Sequence, residues 1–337
     1  MKTALSYAGL QIAGWISGFL ALSALSGAAL AADKIIYVRP VPQNEDLLLK
    51  QGSAGVAQAG LMYGLEASTL ESQANRESRQ QQLEYAIRQK PKFIVLMGYE
   101  FSELIAAAAG QAPQVQFLWL EHCPDNPAPN LYCVQFRESE TAYLAGLEAG
   151  SVTSSGKVGV LGPVDSPARR KSADAFAAGA KAARPDIQLH PMQWVGGAQP
   201  FNDNARSEQV SKSMLGAGVD VIYAIAGASN LGVIRALEAQ GGKSRARMIG
   251  HPVNQCHMSP GKMLDSVEVH FDTAIALAVG RILRGDGSQR MEFGLKENAL
   301  ALAGIGPDAA LSECEVAKDK QLVQKIRKEK SALMLAR

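Results

Sequence analysis

Val219-Asp-Val-Ile-Tyr-Ala-Ile225 runs through Ala226 into Gly227-Ala-Ser-Asn-Leu-Gly232, and residues 231–240 follow with apolar side chains at helical spacing. The first run is too short for a helix and rich in β-branched residues, which suits a strand buried on both faces. A glycine-containing turn then leads into a helix, and strand, turn and helix together form the repeating unit of a parallel α/β sheet. Working outward, Ile35-Ile-Tyr-Val38, Phe93-Ile-Val-Leu-Met97, Val115-Gln-Phe-Leu-Trp-Leu120, Val158-Gly-Val-Leu161 and Met248-Ile249 repeat the strand pattern. Residues 78–90, 102–109, 139–151, 172–183 and 204–215 lie between them with helical apolar spacing. Several of these begin at Ser or Asn, whose side chains cap free backbone N–H groups. The alternation predicts an α/β fold with doubly wound sheets. The 337-residue length accommodates two of them, with a boundary near Phe136-Arg137-Glu138.

With 34 Lys and Arg against 32 Asp and Glu, 47% hydrophobic and 6% aromatic residues, the chain is neither disordered, collagenous nor coiled-coil in composition. The near balance of charge creates no global field to recruit nucleic acid or an acidic membrane. Two domains imply a crevice between them, the default location for a small ligand. Residues 1–31 carry Lys2, an apolar stretch from Ile12, and Ala29-Leu30-Ala31 before Ala32. Small residues at the third and first positions before the break suit signal peptidase, so a cleaved leader and an exported, periplasmic, soluble protein are expected. No Cys follows the apolar run, so lipid attachment is not expected. The charged tail, residues 318–330, reads as a solvated terminal helix.

Cys123, Cys133, Cys256 and Cys314 all lie beyond the leader, where an oxidising compartment permits disulfides. Prolines and asparagines between Cys123 and Cys133 favour a chain that turns back on itself, which favours that bridge and leaves Cys256 with Cys314. Four buried thiols are the alternative. The spacing matches no zinc site, and no metal or other cofactor is expected.

The Gly227–Gly232 turn, through the N–H groups around Ser229 and Asn230, is one candidate site, because a helix start offers free donors to a ligand. It lacks the glycine pattern of a dinucleotide or phosphate loop, and a tight turn without ligand is the competing reading. Trp119, Glu121 and His122 form a second candidate at the end of a buried strand, where α/β proteins bind ligands. Residues two apart share a strand face, so Trp119 would stack on a ligand while Glu121 accepts its hydrogen bonds, unless Trp119 is simply core. A third candidate is Gly250-His251-Pro-Val-Asn254-Gln255-Cys256-His257, read as a polar crevice wall rather than a metal site. Arg169-Arg170-Lys171 reads as a solvated basic face. No GxSxG elbow, HExxH pair or catalytic carboxylate pair is evident, so no catalytic residue and no enzyme activity is assigned.

Several ordered segments resemble the basic membrane protein family of ABC-transporter substrate-binding proteins. They are Gly98-Tyr99-Glu-Phe101, Phe117 through Glu121, Asn130, Phe136-Arg137-x-x-Glu140-x-x-Tyr143-Leu-Ala-Gly146, Gly156-Lys157-Val-Gly159, Ala175-Phe176-x-x-Gly179-Ala180, Phe201-Asn-Asp203, Gly218-Val-Asp-Val-Ile222, Gly232-Val233 and Ile249-Gly250-x-x-x-x-Gln255. The resemblance implies a type I periplasmic-binding fold, two Rossmann-like lobes closing over a ligand. The lobes are expected at residues 32–137 plus 252–285 and at 138–251 plus 286–337. It also implies a nucleoside or purine-like ligand and delivery to a membrane permease served by a separate ATPase. A membrane sensor protein is the alternative partner.

The chain departs from the family's pocket at four places. The stacking Phe after the first strand is replaced within Glu45-Asp-Leu-Leu48-Leu49. The ribose-binding Asp falls on Pro252, a second Phe on Ile234, and a Lys on Val269. The expected ligand is therefore a small polar, nitrogen-containing heterocycle other than an ordinary nucleoside, contacted by Tyr99, Trp119, Glu121, Ser229, Asn230, His251, Asn254 and Gln255.

Overall fold

The computed structural model describes residues 32–42, 47–242 and 244–336; the expected leader, residues 1–31, and the pocket positions Glu45 and Asp46 lie outside them. In chain order the elements are β1 (Lys34–Arg39), α1 (Leu47–Tyr63), β2 (Glu66–Glu71), α2 (Arg76–Arg88), β3 (Phe93–Met97), α3 (Ile105–Gln111), β4 (Gln116–Leu120), β5 (Leu131–Phe136) and α4 (Glu138–Val152). They continue as β6 (Lys157–Gly162), α5 (Pro167–Ala183), β7 (Gln188–Leu189), β8 (Gln193–Trp194), α6 (Asn204–Gly216), β9 (Val221–Ala224), α7 (Asn230–Glu238) and β10 (Arg247–Gly250). The last are β11 (Met263–Val269), α8 (Phe271–Arg284), β12 (Arg290–Phe293), β13 (Leu300–Leu302) and α9 (Lys320–Leu335).

Two sheets organise these elements, one in the order β12-β5-β4-β3-β1-β2 and one in the order β13-β11-β10-β9-β6-β7, with β8 beside β6. Among the described residues only the pairing of β11 with β13 is antiparallel. Strand β1 explains the layering. Ile35 and Tyr37 pack with Val56 and Ala59 of α1 and Ile275 of α8, while Ile36 and Val38 pack with Leu83 and Ala86 of α2. Alternate residues therefore bury opposite faces, the signature of a sheet covered on both sides. In the second lobe α4 and α5 pack closely enough that a Cβ on Gly146 would meet the Phe176 carbonyl and one on Gly179 the Tyr143 carbonyl.

The chain leaves the first sheet after Phe136, returns at His270 and leaves again after Phe293. This corrects the expected lobe limits. Residues 252–269 belong with the second sheet, because β11 pairs β10, and residues 286–293 with the first, because β12 pairs β5. Asp265, Ser266 and Glu268 in β11 and Arg290 and Glu292 in β12 interrupt the apolar pattern that marks a strand. Helix α9 is not merely a solvated tail; it buries Leu322, Val323 and Ile326. Among the described residues no helix is long and apolar enough to cross a membrane.

Candidate functional site

Register brings particular strand ends together. Met97 lies beside Leu120, so the turn at Tyr99 and residue Glu121 leave the first sheet side by side. Ile249 lies beside Tyr223, and Ala224 beside Leu161, so residues after β6, β9 and β10 emerge together from the second. These C-terminal edges frame a crevice.

Glu121 has φ +74, a left-handed conformation that costs a non-glycine residue about 1–2 kcal/mol. It breaks the alternation of β4, so Trp119 and Glu121 do not form the shared face expected of them. Trp119 is 3% exposed, packs in the core beside α2 and α3, and donates its indole N–H to the Gly98 carbonyl at 2.9 Å. Glu121 instead faces the crevice charges. Burial pushes its carboxyl up to about 7; Glu138 adds to the rise, Arg169 opposes it, and Glu100 adds again. The His122 ring lies 5.5 Å from Trp119 and 6.3 Å from the exposed Tyr99. Burial, then Arg169, lowers the His122 pKa.

The opposite wall comes from four separate elements. Glu138 opens α4, and Arg169 in the first turn of α5 donates to its Oε2 at 2.8 Å. His251 Nε2 lies 3.9 Å from that same oxygen. Burial lowers His251 to about 4, with Glu138 raising it and Arg169 lowering it, so the ring is neutral at pH 7. Tyr223, on β9, stacks on Phe176 at 5.4 Å, and burial raises its phenol pKa. Neither the Tyr223 hydroxyl nor His251 Nε2 makes a hydrogen bond among the described residues. Buried polar atoms without partners carry a penalty that a ligand's complementary groups relieve.

The remaining expected contacts serve the protein itself. The Ser229 hydroxyl donates to the Pro200 carbonyl and accepts from Asp203 N–H, while Ser229 N–H donates to the Phe201 carbonyl. Asn230 accepts from Ala226 N–H and donates to the carbonyls of Ala224 and His251 and to Gln255 Oε1. Asn254 Oδ1 caps Cys256 N–H, and its amide reaches the Ser312 carbonyl. Ser229, Asn230, Asn254 and Gln255 therefore latch the turns after β9 and β10. Ile234 and Val269 are core residues, 3% and 1% exposed.

Two further expectations change. Arg169 is 18% exposed and ion-paired, not a solvated base, whereas Arg170 pairs with Asp165 on the surface and Lys171 is exposed. Glu138 and Tyr223 were not singled out from sequence. Glu138 sits at the predicted domain boundary and Tyr223 midway along an apolar strand, so neither position carries a motif. Cys123–Cys133 and Cys256–Cys314 are both disulfides, as the turn residues favoured. Cys256, Asp265 and Cys314 cluster within 4.8 Å, but their sulfurs are bonded to each other rather than held free as metal ligands.

Two largely parallel sheets, joined by three crossings among the described residues and with a polar crevice at their C-terminal edges, define a binding protein of the type I periplasmic class. The chain belongs to the ABC transporter substrate-binding protein PnrA-like family, whose model matches residues 48–334. It is 26% identical over 287 residues to basic membrane protein A of Borreliella afzelii, covering 84% of this chain and 86% of that protein. It is 28% identical over 190 residues to the ABC transporter nucleoside-binding protein BmpA of Lactococcus lactis, covering 55% of this chain and about half (53%) of that protein. A solute-binding protein of an ABC transporter system from Aeropyrum pernix shares the fold, with a TM-score of 0.71 and 20% identity over 90% of this chain and 92% of that one.

Proposed function

We propose that this protein, exported after cleavage behind Ala31, captures a small polar, nitrogen-containing heterocycle between its lobes. It then delivers the ligand to a membrane permease served by a separate ATPase. The observation that carries this reading is the pair of unpartnered buried atoms, the Tyr223 hydroxyl and His251 Nε2, in the same crevice as Glu121. A carboxylate accepts ligand N–H groups, a phenol donates or accepts, and a neutral imidazole offers one of each. The nucleoside-binding name of the Lactococcus relative supports a nitrogen-rich ligand. Pro252, Ile234 and Val269 supply none of the paired acceptors that ribose hydroxyls require, and each buried hydroxyl left unpaired costs about 1–3 kcal/mol.

Mass spectrometry of small molecules that copurify with the protein identifies the ligand, and calorimetry with that compound measures its affinity. Glu121→Ala is expected to abolish binding while leaving the thermal transition in place. Full affinity in that variant, or submicromolar binding of an ordinary nucleoside to the wild type, overturns this reading of the pocket.

A further inference from the structure

We propose that the crevice selects a small organic cation, its charge held between the Glu121 carboxylate and the rings of Tyr99 and His122. This rests on the binding-protein reading above and adds the charge class of its ligand. The first lobe presents Glu100 after β3, and Glu121 and His122 after β4. The second presents Glu138 on α4, Arg169 on α5, Tyr223 on β9 and His251 after β10. Arg169 is matched by Glu138 at 2.8 Å. His251 is neutral at pH 7. Two carboxylates, Glu100 and Glu121, therefore remain, and among the described residues neither forms an ion pair.

An anionic ligand would add a further negative charge beside these two, and a neutral one would leave Glu100 without an ion pair and Glu121 met only by a proton. A cation resolves the imbalance. The aromatic groups sit at the same end of the crevice: Tyr99 is 59% exposed, its ring lies 6.3 Å from His122, and His122 lies 5.5 Å from Trp119. Carboxylates beside open aromatic faces are the surroundings in which a desolvated organic cation is held best. The ligand-free crevice keeps a proton on Glu121 for part of the time near neutrality, and an arriving cation displaces it. Binding then releases a proton, and affinity rises with pH through about 7.

The test uses two probes that share one ring and differ in charge: 1-methylnicotinamide, a permanent cation, and neutral nicotinamide. Calorimetry is expected to give at least about tenfold tighter binding of the cation, with a preference that grows between about pH 6 and about pH 8. Titrations in buffers of different ionisation enthalpy should show proton release near pH 7. In Glu121→Gln, checked for an unchanged circular dichroism spectrum, the preference should fall to about threefold or less. Equal affinity for the two probes, no binding of the cation at millimolar concentration, or a full preference in Glu121→Gln overturns the proposal. A neutral copurified ligand lost in Glu121→Ala would sink the cation assignment alone and leave the binding-protein reading standing.

Discussion

Arg169 holds Glu138 at 2.8 Å and also lowers Glu121, His122 and His251, whereas Glu138 raises both Glu121 and His251. Replacing Arg169 by Gln therefore removes an influence that opposes the rise at Glu121 and frees Glu138 to act on His251. The Glu121 carboxyl should titrate above its present value of about 7, and His251 above about 4. Carboxyl carbon and imidazole proton shifts followed by NMR check both; unchanged titration of Glu121 would mean that Arg169 is too distant or too screened to matter. At this scale the sequence was partly legible. Glu121 and His251 could be found because each follows a buried strand at the edge where ligands bind. Arg169, Glu138 and Tyr223 could not, because each comes from a different element and only the fold makes them neighbours. Ser229, Asn230, Asn254 and Gln255 were visible as polar residues, but which hydrogen bonds they spend on the backbone is a tertiary fact.

Strands buried on both faces announced themselves, and β1, β3, β4, β6, β9 and β10 fall where their apolar runs lie. Other strands were hidden for physical reasons. Strand β2, Glu66–Glu71, is an edge strand with mostly exposed side chains, and β11 carries Asp265, Ser266 and Glu268. Helix α1 contains Gly52, Gly55, Gly60 and Ser53, poor helix formers, and packs along α8. A Cβ at Gly55 would crowd Ile275 and Asp272 of α8, while one at Gly52 would crowd Tyr37 and Met97 and one at Gly60 the Leu65 carbonyl, so the glycines that weaken its helical signal are what let α1 pack closely on α8 and on the sheet. The disulfides add constraints of different size. Cys123–Cys133 spans 10 residues and Cys256–Cys314 spans 58, and the chain-entropy relation assigns them about 3 and about 4 kcal/mol. Paired Ser replacements of the 256–314 bridge should therefore destabilise more in urea unfolding than those of the 123–133 bridge. The reverse order would mean that native contacts around the loops outweigh the closure entropy.

The whole molecule must respond to pH, because its buried acids and its buried imidazole pull in opposite directions. Glu148 of α4 and Asp265 of β11 are both fully buried, and each lacks outside partners on at least one oxygen. Burial raises Glu148 well above its ordinary range, with Asp265 beside it adding to the rise, and burial raises Asp265 to about 7 despite N–H groups of Gly304 and Ser266. Held well above the ordinary range, the Glu148 carboxyl keeps near neutrality a proton that the unfolded chain would not. The stabilisation from Glu148 and Asp265, like that of Glu121, is fully present below the unfolded carboxyl pKa and is lost as pH rises toward and through the folded values. His251 acts the other way, its contribution present above about 6.5 and lost as pH falls toward about 4. Three raised acids and the raised His270 outweigh the two lowered imidazoles, His122 and His251, so unfolding free energy should peak on the acid side of neutrality and decline from about pH 6 to about pH 8. Glu148→Gln replaces the protonated acid by a neutral amide of the same shape. It should remove about one proton from that dependence, flattening the decline by roughly 1.4 kcal/mol per pH unit in urea unfolding at fixed ionic strength. A variant that keeps the full slope would show that the proton resides elsewhere, and the Glu121 carboxyl in the crevice would then be the next group to replace.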